Sequence, residues 1–268
     1  MNKWPEPDPD VVGIPASTVI VYRHSPDDGP AHILMVIRSQ AMRFAGGAAV
    51  FPGGKVDPAD FDLARALFPD HDAEDVAARI AGVREMLEET GLLIGVRQSV
   101  SPDEVARARE LVHQEKALAP VLEQFGWELD LDALVPFARW HPKVKSPKIF
   151  DARFYLADLG TGNVEIAIDE TENTHLFWVS AAEALAMADR GEVTIIFPTR
   201  RNLERLAQFA DYAEARVHAL DHPVRMITPW VDDSGAEPML RIPDDLGYPV
   251  TAEPLADIMR ALPPMPSA

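Results

Sequence analysis

Runs of β-branched and aliphatic residues, separated by turn residues, predict the strands of this chain. The run STVIVYR is followed by HSPDDGPA, a turn rich in Asp, Gly and Pro, and then by the apolar run HILMVIR. Two later runs flank a basic loop, and we expect them to pair with each other. The predicted strands are residues 17–23, 32–38, 48–51, 134–141, 151–159 and 175–179.

A helical period replaces the strand pattern between about residues 72 and 90. Apolar residues in this segment are spaced four, three and four apart, which places them on one face of a helix. These residues are Val76, Ile80, Val83 and Leu87. Gly91 follows at the position typical of a helix stop. Further helices are predicted at residues 101–120, 180–191 and 200–215.

The order of these elements indicates the class of fold. Strands and helices are mixed without strict alternation, which favours an α+β layered fold with a mixed sheet. We expect one large domain over residues 15–215, since 268 residues suffice for a substantial core. Residues 216–268 are rich in proline and show little periodicity, so they are predicted to be an irregular C-terminal extension.

Three glutamates lie on the helix face opposite the apolar residues. Glu85, Glu88 and Glu89 are separated by three and four positions in VREMLEETGLL, a stretch without lysine. Like charges at this spacing destabilise a helix, and we expect these side chains to point outward. One interpretation is a solvated acidic face. The two glycines of FPGGK upstream favour another, because clustered carboxylates beside a closely approaching backbone suit Mg²⁺ and a diphosphate.

Composition and charge exclude several classes of protein. The chain has no cysteine, so disulfides and thiolate metal sites are excluded. A net charge of −18 argues against a nucleic-acid-binding surface, although not against an anionic small molecule. No apolar run approaches the roughly 18 residues of a membrane span. The first residues lack a signal peptide's apolar stretch. We therefore expect a cytoplasmic protein without membrane partners; a homodimer is left open.

The segments GGKVDPAD and REMLEETGLL together resemble the box of the Nudix hydrolases, G-x5-E-x7-R-E-U-x-E-E-x-G-U, where U is aliphatic. Gly54 is the opening glycine, and Asp60 stands where the pattern has its first glutamate. The second half of the pattern is matched at each fixed position by Arg84, Glu85, Met86, Glu88, Glu89, Gly91 and Leu92. Arg84 follows Gly54 by 30 positions instead of 14, so 16 residues are inserted, within about residues 61–78.

The segment upstream of the box resembles the signature of the coenzyme A diphosphatases, L-L-T-x-R-S/A-x3-R-x3-G-x3-F-P-G-G. Met35 and Val36 replace the second leucine and the threonine of that signature. The residues at the required spacing are Leu34, Arg38, Ser39, Arg43, Gly47, Phe51, Pro52, Gly53 and Gly54. With its interrupted box, the chain resembles the mammalian peroxisomal branch of these enzymes and its bacterial relatives, over roughly residues 15–210.

The resemblance implies a Nudix α/β/α sandwich with a mixed sheet, an insertion within the box and extra helices after it. It implies a Mg²⁺- or Mn²⁺-dependent diphosphatase that cleaves coenzyme A or acyl-CoA into 3′,5′-ADP and 4′-phosphopantetheine or its acyl form. Glu85, Glu88, Glu89 and the backbone of Gly54 would bind the metal, while Arg84 would orient a catalytic glutamate. The implied substrate-binding residues are Arg38, Arg43, Gly47, Phe51, Gly53 and Gly54.

Two other functions remain open at this point. One is hydrolysis of a different diphosphate, such as NADH or ADP-ribose, because similar scaffolds accept different substrates. The other is a non-catalytic ligand sensor, which would not need all of the box residues. A basic cluster is interpreted either as a solvated loop or as a lid that faces the phosphates of the substrate. It consists of Arg139, Lys143, Lys145, Lys148 and Arg153.

Overall fold

The strands of the protein form two sheets. The computed structural model describes residues 12–25, 27, 29–39, 47–142, 149–159 and 173–261. The strands are β1 (Ile14–Arg23), β2 (His32–Arg38), β3 (Ala49–Val50), β4 (Gly53–Lys55), β5 (Val135–Trp140), β6 (Phe150–Asp158), β7 (Asn173–Val179), β8 (Met226–Ile227), β9 (Trp230–Asp232), β10 (Met239–Arg241) and β11 (Ala252–Pro254). The predicted strands of the first 180 residues are therefore confirmed, with small shifts at their ends.

The larger sheet has eight strands in the order β3-β2-β1-β6-β5-β8, with β4 paired to β1 and β7 paired to β2. Strand β1 runs parallel to β6 and antiparallel to β2 and β4. Its first residues pair with the glycines of the box, so that Ser17 lies opposite Gly54. The central strand thereby fixes the position of the loop that opens the box.

Helices cover both faces of this sheet. They are α1 (Pro58–Leu67), α2 (Ala73–Thr90), α3 (Pro102–Glu115), α4 (Ala119–Phe125), α5 (Ala181–Asp189), α6 (Phe197–Leu206), α7 (Tyr212–Asp221) and α8 (Leu255–Ala261). Alternate residues of β1 point to opposite faces. Val19 and Val21 pack in the core formed with α1–α4, whereas Ile20 and Tyr22 pack in the core formed with α5–α7. This layering confirms the α/β/α sandwich with a mixed sheet.

Helix α2 carries the second half of the box, and its ends match the sequence pattern. The Asp72 side chain accepts a hydrogen bond from the N–H of Glu74, and Gly91 ends the helix in the left-handed conformation. The apolar residues predicted to face the core are buried, with Ile80, Val83 and Leu87 fully inaccessible. Burial of these apolar residues therefore determines which face of the helix packs against the core.

Two helical segments differ from their predicted extents. The helix predicted over residues 200–215 is wrong as a single element, because α6 ends at Leu206 and α7 begins at Tyr212. The Asp211 side chain accepts a hydrogen bond from the Glu214 N–H, so Asp211 starts a new helix instead of continuing the old one. Helix α3 ends at Glu115, short of the predicted residue 120, because Lys116 adopts a left-handed conformation.

The insertion in the box and the C-terminal segment are both more regular than expected. Residues 61–78 lie largely within α1 and the first turns of α2 instead of looping out. The irregular character predicted for residues 216–268 does not hold, since this segment supplies β8 to the main sheet and forms the three-stranded sheet β11-β10-β9. Short elements two or three residues long carry no periodicity by which a sequence could reveal them. The domain boundary near residue 215 stays a prediction.

Four predicted residues lie outside the described ranges: Arg43, Lys143, Lys145 and Lys148. Among the described residues, no helix is both long enough and apolar enough to cross a bilayer.

Candidate active site

The glycines of the box lie where no side chain would fit. Gly53 has a φ of +149°, and a Cβ added there would lie 2.2 Å from the carbonyl oxygen of Ser17. A Cβ on Gly54 would lie 2.3 Å from the carboxylate of Glu85. At these two glycines the backbone of β4 therefore approaches both the central strand and helix α2 more closely than a residue with a side chain would allow.

This close approach connects β4 with the glutamates of α2. The Gly53 N–H donates a hydrogen bond to Oε2 of Glu89 at 3.1 Å. Since the Glu85 carboxylate packs against Gly54, two of the three box glutamates contact the glycine loop directly. The structure thus brings together the loop and helix residues that the resemblance assigned to one site.

Arg84 is the centre of an ion-pair network beneath these glutamates. Its guanidinium donates to both carboxylate oxygens of Asp60, with Nε–Oδ1 and Nη2–Oδ2 distances of 3.1 and 3.0 Å. Nη1 donates to Oε1 of Glu85 at 2.8 Å, and Nη2 donates to the carbonyl of Lys55 at 2.9 Å. Arg84 and Asp60 are 3% and 1% exposed. Bidentate pairing of this kind holds a guanidinium in one orientation.

Asp60, which stands at the sequence position of the first box glutamate, therefore pairs with Arg84 although its side chain is shorter. It lies in the first turn of α1, where one of its oxygens also accepts a hydrogen bond from the N–H of Asp57 at 2.9 Å. The inserted residues follow this turn and return to the start of α2. The 16 extra residues thus leave the contact between the two halves of the box in place.

Glu88 and Glu89 are buried and Glu85 is half-buried, which corrects the expectation that the box glutamates point outward. Glu88 and Glu89 are 9% and 5% exposed, because β4 and α3 cover this face of α2. Burial raises the pKa of Glu85 to about 8; Arg84 opposes this shift, and the charges of Glu89 and Glu88 add to it. Burial likewise raises the pKa of Asp60 against the effect of Arg84. The site therefore concentrates negative charge in a place with little water to screen it.

Helix α3 supplies further contacts that the sequence interpretation missed. Arg109 donates from Nε to the carbonyl of Glu88 at 3.1 Å and from Nη2 to the carbonyl of Glu89 at 3.4 Å. Nζ of Lys116 lies 2.5 Å from Oε1 of Glu88, and Nδ1 of His113 lies 3.7 Å from the same oxygen. The spacing of these three residues, four and three apart, indicates one helix face, but it does not indicate what that face contacts.

The donor chemistry of the site fits a divalent metal ion. Three carboxylates on successive positions of one helix face, next to a backbone that a Cβ would block, offer only hard oxygen ligands of the kind that Mg²⁺ and Mn²⁺ take. In the described part of the chain, however, no three acidic or histidine side chains converge in a ready metal geometry. The reason is visible in their partners: Glu85 bonds to Arg84, Glu88 to Lys116 and Glu89 to Gly53.

The predicted substrate residues lie at the same end of the sheet as the box. Arg38 ends β2, and its backbone carbonyl accepts a hydrogen bond from the N–H of Gly47, which has a φ of +76°. Phe51 is buried in the core, where its ring meets that of Phe154 edge to face. Their contact with a substrate stays a prediction.

The described part of the basic cluster is already paired with acids. Arg139 forms a bidentate ion pair with Asp151, and Arg153 pairs with Glu74 at 2.9 Å. These arginines border a cavity of about 370 Å³ between the start of β1, α1, α2 and the β5–β6 pair. The cavity is lined by none of the predicted site residues, and its charges balance. It therefore gives no support to a phosphate-facing role for these two arginines.

Comparisons with known proteins agree with this geometry. No protein-family model matches the sequence. A Caenorhabditis elegans protein named as a Nudix hydrolase is 27% identical over 184 residues, which are 67% of this chain and 57% of that protein. The acyl-coenzyme A diphosphatase NUDT19 of Gallus gallus is 25% identical over 266 residues, covering 78% of this chain and 70% of the chicken protein.

A solved structure extends the similarity to the fold. The crystal structure of a Nudix hydrolase from Alicyclobacillus acidocaldarius superposes with a TM-score of 0.65 and 28% identity, covering 78% of this chain and 97% of the bacterial one. The chain spans little more than half the length of the nematode relative. In fold and in sequence, the chain is similar to Nudix hydrolases, and the relatives it resembles include an acyl-coenzyme A diphosphatase.

Proposed function

We propose that this protein hydrolyses the diphosphate of coenzyme A or acyl-CoA, releasing 3′,5′-ADP and 4′-phosphopantetheine or its acyl form. The observation that carries the proposal is the Arg84 network. It joins Asp60 of the inserted first half of the box to Glu85 of the second half, through 3.0 and 2.8 Å contacts. The contacts between the two halves of the box are thus kept in spite of the insertion. A catalytic protein requires these contacts, whereas a ligand sensor does not require them.

Glu85, Glu88, Glu89 and the carbonyl of Gly54 are the groups that would hold Mg²⁺ or Mn²⁺. When bound, the ion supplies charge neutralisation for the diphosphate and lowers the pKa of a coordinated water. Arg84 orients Glu85 through its Nη1 contact, and Gly53 orients Glu89 through its N–H. Arg109 fixes the end of α2 that carries Glu88 and Glu89.

One of these carboxylates acts as the base. It takes a proton from the water that attacks phosphorus, while the P–O bond to the leaving phosphate breaks and two phosphomonoesters result. Glu88 and Glu89 are 9% and 5% exposed, so each is a candidate for this role in a site with little bulk water. The contacts of Glu85 and Glu89 with the glycine loop support the assignment of the site.

The choice of coenzyme A rests on the signature at residues 34–54 and on the chicken relative named as an acyl-coenzyme A diphosphatase. Arg38 and Arg43 are the signature arginines, and a guanidinium binds phosphate oxygens bidentately. They are proposed to bind the phosphates of the substrate near the box. NADH and ADP-ribose are the competing substrates.

The test incubates the protein with Mg²⁺ and equal amounts of coenzyme A, NADH, ADP-ribose and a dinucleoside polyphosphate. We expect 3′,5′-ADP to be the product that appears fastest. Faster hydrolysis of NADH or ADP-ribose would assign the protein to a different substrate. Absence of hydrolysis of all four, with the metal bound, would favour the ligand sensor.

Two variants test the site itself. Glu88→Gln and Glu89→Gln remove a charge with little change of shape, and each is expected to lower kcat by at least about 100-fold. Glu110→Gln is the matched control, since Glu110 is exposed on α3. Circular dichroism and thermal unfolding establish that the variants fold. Full activity of both Glu88→Gln and Glu89→Gln would remove the basis of the metal assignment.

A further inference from the structure

The face of α3 that meets the catalytic helix carries three basic side chains. Arg109, His113 and Lys116 are four and three positions apart, so they lie on one side of the helix. Arg109 binds the carbonyl oxygens of Glu88 and Glu89, where the end of α2 leaves carbonyls without helical partners. This contact places the end of α3 above the carboxylate of Glu88.

Lys116 occupies an unusual backbone position at this end. With φ 52° and ψ 29° it is left-handed, and in the described ranges it is the one non-glycine residue with a positive φ. Glycine is the residue that ordinarily ends a helix in this conformation, as at Gly91 and Gly126. A lysine in this conformation is strained relative to a relaxed backbone. We therefore look to the contact of the Lys116 side chain for the reason that a lysine stands at this position.

That side chain reaches the carboxylate of Glu88. Nζ lies 2.5 Å from Oε1, while Nη1 of Arg84 lies 3.5 Å from Oε2, so each oxygen of Glu88 faces a cation. The side chain of Glu88 is 12% exposed, whereas that of Lys116 is 65% exposed. Most of the Lys116 side chain is therefore in solvent even while its ammonium group contacts the buried carboxylate.

We propose that Lys116 is a positioning residue that acts as a resident counter-cation of the metal site. It holds Glu88 while the site lacks a divalent ion, and it moves into solvent when an ion binds, because an ammonium and a divalent ion repel each other at one carboxylate. Lys116 therefore sets how tightly the site binds its metal. This inference rests on the proposed function, since it requires that Glu88 be a metal ligand.

The experiment measures Mn²⁺ binding directly, by the loss of the free-ion EPR signal, in the full-length protein. Lys116→Met keeps the length of the side chain and its backbone demand while removing the charge. We expect the dissociation constant for Mn²⁺ to fall between about twofold and fivefold, the range that an exposed ion pair allows. Lys116→Arg should retain the wild-type constant within about twofold.

Arg107→Met is the matched control for net charge. Arg107 is exposed on the same helix and stacks on Phe125, so its removal changes the charge of α3 without touching Glu88. We expect it to leave the Mn²⁺ constant unchanged. If Arg107→Met tightened binding as much as Lys116→Met, a general charge effect would replace the specific contact and overturn the proposal.

The remaining outcomes separate this inference from the function on which it rests. Unchanged or weaker Mn²⁺ binding by Lys116→Met, with normal binding by the wild type, overturns the role of Lys116 and leaves the metal site intact. Failure of the wild type to bind Mn²⁺, or equal binding by Glu88→Gln, overturns both. Tighter binding by Lys116→Met that is lost in the double variant with Glu88→Gln supports the proposal.

Discussion

Two buried arginines on opposite faces of the sheet show how differently this protein uses the same side chain. Arg84 of α2 is 3% exposed and is surrounded by carboxylates, which raise its pKa. Arg205 of α6 is 2% exposed and donates to the carbonyl of Phe137, while burial lowers its pKa. Its guanidinium lies 4.0 Å from the centroid of the Phe137 ring and 5.2 Å from that of Tyr248.

The two faces of the sheet therefore differ in the groups that surround their buried arginine. Around Arg84 the carboxylates outnumber the guanidinium, and this excess of negative charge is what the proposed cation site rests on. Around Arg205 no carboxylate is in contact within the described residues, and aromatic faces take the place of counter-charges. Tyr248 also donates to Asn202 at 2.8 Å, so this cluster fastens the C-terminal segment to α6.

The largest effect is expected for Arg84→Met. The change leaves Asp60 buried without its partner, and breaking a buried ion pair in this way costs about 3–5 kcal/mol. The free energy of unfolding, from urea denaturation, should fall by that amount, and hydrolysis should be lost with it. The double variant Arg84→Met/Asp60→Leu removes both charges, so it should recover stability without recovering activity. A loss below about 1 kcal/mol in the single variant would contradict the network described here.

Arg205→Met should have a smaller effect and one of a different kind. It removes a buried hydrogen bond to Phe137 and the cation–π contacts, which predicts a loss of about 1–3 kcal/mol. Because the site lies on the other face, kcat should stay near the wild-type value. Limited proteolysis should become faster within residues 242–254, which pack near this arginine. A loss of kcat comparable to that of Arg84→Met would show that the two faces are not separate.

The smallest expected effects are on the pH dependence of the free energy of unfolding, which differs in sign between a residue of one face and a residue of the other. Burial raises the pKa of Glu85 to about 8 from 4.5. Between these values the folded, metal-free protein binds more protons than the unfolded chain, so this group's contribution to stability is lost as pH rises. Burial, helped by the charges of Arg205 and His222, lowers the pKa of His218 to about 4 from 6.5. Its contribution has the opposite sign and is lost as pH falls through that window.

Variants of these two residues make the difference measurable. Glu85→Gln should flatten the decline in metal-free stability between about pH 5 and 8, whereas His218→Gln should flatten the decline between about pH 6.5 and 4. The free energy of unfolding measured at several pH values in the presence of a chelator checks both. The same slope in wild type and variant, in either window, would show that the group titrates normally.

Much of the catalytic helix is readable from the sequence because its signals are local. The apolar period sets the face of α2, Gly91 ends it, and the spacing of the glutamates places them together. The box resemblance places Asp60 and Arg84 in one motif in spite of the insertion, but it does not predict that the two residues pair. Local periodicity and a known pattern thus suffice for the residues of one element and its loop.

The residues that surround the glutamates cannot be predicted from local sequence patterns. Arg109 and Lys116 reach Glu88 over 21 and 28 residues, and this contact depends on how α3 crosses α2. Helix periodicity predicts that the glutamates lie opposite the apolar face, but it cannot predict that a second helix and β4 cover them. The expectation that the glutamates point outward is therefore wrong because of tertiary contacts, which helix periodicity does not encode.

The pairing of β8 with β5 has a practical consequence for anyone shortening this chain. Met226 and Ile227 lie alongside Arg139 and Trp140 and cover the outer border of the main sheet. A protein cut at residue 215, the boundary that the sequence suggests, would lack β8 and leave β5 as an exposed edge strand. That strand is rich in aromatic residues, and its amide and carbonyl groups would be unsatisfied. Such borders recruit strands from other molecules, so the cut protein is expected to aggregate even though it retains every residue of the proposed active site.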